Sequence, residues 1–140
     1  MKRALVIALL LGNAALFGCG KVGGTQNDLA PGAGDGSNSQ LNGCTTYKDQ
    51  TAGGGAITFP MVGAPMQYSP ACVHIKAGQS VTWTGAFASH PLQPEGGAVP
   101  NPVTSVQTGM TTTILFPTAG VYGYGCGIHG SMIGAIQVTP

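Results

Sequence analysis

Charge is nearly absent from this chain: its 140 residues carry five basic and four acidic side chains. No basic stripe exists to track a nucleic-acid backbone, so nucleic-acid recognition is excluded. No acidic patch exists either, which excludes electrostatic steering of a cationic partner. Aromatic residues make up only 6%, with a single tryptophan, and there are three histidines, His74, His90 and His129. No apolar run reaches the ~20 residues that a bilayer-spanning helix requires. No stretch longer than a turn shows helical periodicity. What the chain has in quantity is glycine, 24 residues, and proline, 10 residues, set between short β-rich runs.

The N-terminus reads as an export signal. Met1-Lys2-Arg3 gives a charged start, residues 4–15 an apolar core, and Leu16-Phe17-Gly18-Cys19 a small-residue cleavage site. That last tetrapeptide resembles the bacterial lipobox, whose cysteine is lipidated and becomes the mature N-terminus. The resemblance makes Cys19 the lipidation candidate, and Gly20 after it favours outer-membrane sorting. Residues 1–18 are then the signal peptide, 19–43 the lipidated cysteine with a flexible Gly/Ser-rich linker, and 44–140 one folded domain. The linker has almost nothing to bury, so the entropy of ordering it goes uncompensated. Its reach is roughly 25–30 Å, enough to let an anchored domain swing off a membrane.

Beyond residue 44, β-rich runs at 56–59, 72–76, 80–84, 111–116, 121–126 and 134–138 are separated by turn signals such as Ala77-Gly78-Gln79 and Thr118-Ala119-Gly120. Short strands with regular turns predict an all-β sandwich. Period-two alternation puts Val81 and Trp83 on one face, and Tyr122, Tyr124 and Cys126 on another, with Gly123 and Gly125 opposite.

The chemistry is concentrated in Cys126-Gly127-Ile128-His129-Gly130-Ser131-Met132. A thiolate, an imidazole and a thioether share one short loop between two strands, and His90 supplies a second imidazole from far upstream. Two histidines, one cysteine and a weak methionine are the ligand set of a blue-copper electron-transfer site. Imidazole suits Cu(II) and soft sulfur suits Cu(I), so a mixed set serves both states. A closed zinc site takes four good ligands, and methionine is a poor one. Covalent haem needs Cys-x-x-Cys-His, which is absent. His74 alternates with apolar neighbours and reads as a solvent-facing strand residue. Met61, Met66 and Met110 read as core or loop fillers.

The ordered set His90, Tyr122, Tyr124, Cys126, His129, Met132 and Gly134 resembles the cupredoxins of the plastocyanin, pseudoazurin and amicyanin kind, over roughly residues 56–140. The Cys-x2-His-x2-Met spacing is nearest the short amicyanin loop. The resemblance implies a Greek-key cupredoxin sandwich or barrel, one type 1 copper ion, His90, Cys126 and His129 as strong ligands and Met132 as the axial one. It implies a single-electron carrier, not an enzyme, working as a monomer between redox partner proteins. An exported, lipid-anchored protein of the periplasm or outer membrane is the matching location. The alternative is an envelope protein that binds and delivers copper, to which Met61 and Met66 lend slight support. A multi-copper oxidase or reductase would need more than three histidines.

With Cys19 given to lipid and Cys126 to copper, Cys44 and Cys72 remain, and an oxidising compartment favours a disulfide between them. Around His129 the loop offers Gly127, Ile128, Gly130 and Ile133, which predicts a flat apolar patch on which redox partners dock. Two departures from the family pattern stand out. Pro91 follows His90, where relatives usually have an asparagine whose N–H braces the ligand loop, and proline has no N–H. Ile128 stands where many relatives have proline. These bonds tune a copper potential, so the potential should differ from the family average.

Overall fold

The computed structural model describes residues 40–61 and 63–140. The expected signal segment, Cys19 and most of the linker lie outside the described residues. Eight strands form: β1 (Lys48–Asp49), β2 (Gly55–Thr58), β3 (Cys72–Lys76), β4 (Gln79–Thr84), β5 (Leu92–Gly97), β6 (Thr111–Phe116), β7 (Gly120–Cys126) and β8 (Ile133–Thr139). They make two sheets, one ordered β1-β3-β8-β7-β5 and the other β2-β4-β6. The result is an all-β sandwich of two sheets, as the sequence pattern predicts. Among the described residues no helix is long and apolar enough to cross a membrane.

The chain changes sheet at every step from β1 to β7, and only β7 and β8 are consecutive neighbours within one sheet. Their antiparallel register runs from Gly120 opposite Val138 to Gly125 opposite Ile133. The Cys126–Met132 loop is therefore the one short hairpin connection in the described structure, held by paired strands at both ends. Leu92, the first residue of β5, pairs with Cys126. That pairing brings the end of the His90 segment to the end of β7.

Alternation explains the core. Val81 and Trp83 point inward and are fully buried, as are Val73 and Ile75 on β3 and Tyr122, Tyr124 and Cys126 on β7. Gly123 and Gly125 do face the other way, yet they too are buried, because another layer covers them. A Cβ on Gly123 would run into the Glu95 backbone and the Asn42 amide, and one on Gly125 would meet the Glu95 carboxylate. β7 thus needs glycine on its outer face because β5 and an N-terminal turn lie against it.

That turn, Leu41–Gly43, belongs to the last of the stretch read as linker. Asn42 adopts the left-handed conformation (φ 52°) that asparagine tolerates. Its Nδ2 donates to the carbonyls of Gly134 (2.9 Å), Glu95 (3.3 Å) and Tyr124 (3.4 Å), tying β8, β5 and β7 together. Two residues on, Cys44 is bonded to Cys72 at a Cα–Cα distance of 5.7 Å. A bridge closing 28 residues of separation stabilises by about 3–4 kcal/mol through the unfolded state. Replacing both cysteines (Cys44→Ser with Cys72→Ser) should lower unfolding stability by about that amount in a denaturant titration, with m rising as the unbridged unfolded chain expands. An unmoved midpoint would mean that the Asn42 contacts hold the turn unaided.

Candidate metal centre

Three donor atoms converge at one end of the sandwich. His90 Nδ1 lies 3.1 Å from His129 Nδ1 and 4.0 Å from Cys126 Sγ, and Cys126 Sγ lies 3.5 Å from His129 Nδ1. A point equidistant from three atoms so spaced falls inside their triangle, about 2.1 Å from each. Metal–imidazole bonds are about 2.0–2.1 Å and metal–thiolate bonds about 2.3 Å. The donor set fits a single trigonally held ion without rearrangement. Among the described residues this is the one such group of histidine, cysteine and carboxylate donors.

Each donor is placed by local structure. Cys126 ends β7 on its inward face and is 3% exposed. Its N–H donates to Met132 O at 2.9 Å, and Met132 N–H donates to His129 O at 2.8 Å. These two bonds close the loop and fix the spacing from cysteine to histidine to methionine. Met132 itself is fully buried in the core cluster and immediately precedes β8. His129 is half-buried, and Ile128 beside it is 63% exposed.

His90 is 2% exposed and its N–H donates to Ala86 O at 3.0 Å, closing the turn that follows β4. Burial first, and the charge of His129 second, hold His90 below the usual imidazole range. The ring is therefore neutral near pH 7, as a metal ligand must be. The edge of Phe59 packs against it at a centroid distance of 6.0 Å and an angle of 83°. Sequence reasoning assigned Phe59 no such role; its place at the end of β2 was the available signal.

Pro91 cannot donate a bracing N–H, but its carbonyl accepts one: Gly127 N–H reaches Pro91 O at 2.8 Å. The residue after the cysteine is thereby tied to the residue after the upstream histidine, with donor and acceptor exchanged. Ser89, just before His90, is exposed, and its N–H donates to Ala86 O at 3.1 Å.

Behind the donors stands an aromatic wall. Tyr124 meets Tyr68 at 4.8 Å and Trp83 at 5.3 Å, both edge-on. Its hydroxyl donates to Ala71 O at 2.9 Å. Burial, then Tyr68, holds the Tyr124 hydroxyl well above the ordinary phenol range, while the Trp83 side chain opposes the shift. Tyr68 is raised likewise, by burial first, then by nearby Cys126 and Glu95. Both phenols stay protonated, so Cys126 faces no competing anion within the wall.

His74 is not part of the group. On β3 it is half-buried, with Nε2 3.0 Å from Thr139 Oγ1 and Nδ1 4.0 Å from Asp49 Oδ1. Met61, Met66 and Met110 are loop residues, each close to half exposed.

A family model of copper binding proteins, the plastocyanin/azurin family, matches residues 57–139. Similar solved structures include a purple cupredoxin from Nitrosopumilus maritimus, 27% identical, covering 61% of this chain and 99% of that one with a TM-score of 0.45. A reduced amicyanin variant is 25% identical over 62% of this chain and 83% of its own, with a TM-score of 0.45. Pseudoazurin from Methylobacterium extorquens AM1 is 25% identical over 61% and 74%, with a TM-score of 0.46. No curated protein matches the sequence.

Proposed function

The chain belongs to the plastocyanin/azurin family of copper-binding proteins, with one copper ion as its cofactor, and from that premise we propose that it shuttles single electrons between partner proteins of the cell envelope. His90, Cys126 and His129 would hold the copper, with Met132 as a weaker fourth donor. The observation that carries this reading is the convergence of two Nδ1 atoms and one Sγ on a point about 2.1 Å from each. Copper bound there supplies one-electron chemistry between Cu(II) and Cu(I). The protein's part is to keep the donors still. Two backbone bonds inside the loop and one to Pro91 do so, and a fixed frame leaves little to reorganise as the charge changes.

His129 is the ligand that reaches the surface, so it is the exit for the electron. Around it lie exposed Gly127, Ile128 and Gly130 and half-buried Ile133. The charged groups of the folded part, Lys48, Asp49, Lys76 and Glu95, sit on β1, at the far end of β3 and along β5. Docking is therefore apolar, and the rate with the physiological partner should change little between low and high salt. Ile128→Glu should slow that rate and make it salt-dependent, measured by stopped-flow mixing across ionic strengths. A wild-type rate already steep in salt would refute apolar docking.

The N-terminal segment extends the proposal: a lipid on Cys19 holds the protein at an envelope membrane, and the linker gives the monomeric domain its reach. Copper retention tests carrier against delivery protein. Repeated electrochemical reduction and reoxidation should leave one copper per chain with a one-electron wave throughout. Loss of copper on each reduction would favour delivery.

A further inference from the structure

His90 reaches the metal end on a segment of its own, and something must set the tilt of its ring. Among the described residues, the polar contacts of that ring are both made by Nδ1, to His129 and to Cys126. Nδ1 faces the other donors, so it is the atom a metal would take. A ligating histidine is ordinarily oriented by a hydrogen bond at its other nitrogen. Here the orientation is left to packing.

The packing partner is Phe59. It is 7% exposed, directly follows β2, and its N–H donates to Thr84 O at 3.0 Å. Its ring meets His90 at 6.0 Å and 83°, Phe87 at 5.0 Å and 64°, and Tyr68 at 5.5 Å and 72°, edge-on each time. That is the favoured geometry for aromatic pairs. The segment after β4 wraps this ring, with Gly85, Phe87 and His90 all against it. Gly85 is buried, and its N–H donates to Met110 O at 2.9 Å. A Cβ at Gly85 would overlap Cγ, Cδ2 and Cε2 of Phe59. The φ of Gly85 is not positive, so the approach of the ring, not the backbone conformation, is what requires glycine there. Glycine and ring are fitted to each other, and the ring so placed abuts the buried donor.

We infer that Phe59, seated on Gly85, is the positioning residue for His90: it holds the imidazole in the rotation that aims Nδ1 at Cys126 and His129. Close-packed side chains have few alternative arrangements, so His90 keeps that aim in both copper states. The inference rests on reading His90 as a copper donor and goes beyond it by naming what fixes the donor's aim.

The test compares the full chain with Phe59→Leu and Gly85→Ala. Leucine keeps apolar bulk but has no planar edge to set against His90, and the alanine methyl displaces the ring itself. The chain has three histidines, so the imidazole resonances of the apoprotein separate in heteronuclear NMR. Those of His90 should move in both variants, while those of His74, far off on β3, stay in place. In the copper-loaded protein the hyperfine splitting and the midpoint potential should shift with them. A merely structural role for Phe59 would lower the unfolding midpoint and leave potential and resonances alone. A folded Phe59→Leu protein with parent-like His90 resonances would overturn the inference, whether or not Gly85→Ala folds. Moved resonances with an unmoved potential would mean that copper aims the ring unaided, and would overturn it too. A parent that stays colourless with Cu(II), its apoprotein resonances responding as expected, would sink the electron-carrier reading and leave the positioning of His90 standing.

Discussion

Cys126→Ser should abolish the intense colour of the copper-loaded protein and its electron exchange, while leaving a folded chain. Cys126 is the only free cysteine among the described residues and the one soft, charged donor in the group. Serine offers a hard oxygen that does not ionise near neutral pH, so the thiolate contribution to both copper states disappears. His90 and His129 would still face each other at 3.1 Å, and two imidazoles can retain a weakly held, pale Cu(II). The fold should lose little: the substitution is close to isosteric, and the hydroxyl keeps His129 Nδ1 as a partner at the position where the sulfur has one at 3.5 Å. The expected result is colour lost at nearly unchanged unfolding midpoint. Persisting intense colour would place the chromophore on some other residue.

Trp83→Ala should be the most damaging substitution for the fold itself. Trp83 is the largest fully buried side chain, on the inward face of β4, and it is packed against Phe116 at 6.3 Å and Tyr124 at 5.3 Å. Removing a buried indole costs about 3–5 kcal/mol through lost burial and the cavity left behind. Against the 5–15 kcal/mol typical of a domain, that is a large share. Trp83 is also the backing of Tyr124, which lies two residues before Cys126 on the same face of β7. Chemical denaturation of the apoprotein should show the loss, and the copper-loaded protein should show broadened spectra as the wall loosens. Leu115→Ala provides the contrast: Leu115 is 54% exposed on β6, and its removal should shift stability by no more than about 0.5 kcal/mol. Equal losses at the two positions would mean that the sandwich core is not where the structure places it.

Much of this was legible in the sequence, for a physical reason. Strands whose side chains alternate announce themselves, so 72–76 and 111–116 were read with the observed bounds, and 80–84, 121–126 and 134–138 within a residue. β5 was not visible. Leu92–Gly97 holds a proline and two glycines, and it becomes a strand only because β7 supplies a partner, with a register shift between Pro94 and Gly97. β1 is two residues long and exists by pairing with Val73 and His74. The grouped donor atoms were legible because Cys126 and His129 share one short loop, and His90 was the remaining histidine outside an alternating strand. What stayed hidden needed three dimensions. The burial of Gly123 and Gly125 depends on Asn42 and Glu95, far away in sequence. The bond from Gly127 to Pro91 joins two loops that only the pairing of Leu92 with Cys126 brings together.

The most direct test of the account is the visible and EPR spectrum of the full-length protein, oxidised and loaded with Cu(II). One copper per chain, an intense thiolate-to-copper absorption and narrow copper hyperfine splitting are predicted, all three lost in Cys126→Ser. A pale protein with wide hyperfine splitting, or one that takes up no Cu(II) at all, would contradict a thiolate-bound electron-transfer centre at His90, Cys126 and His129.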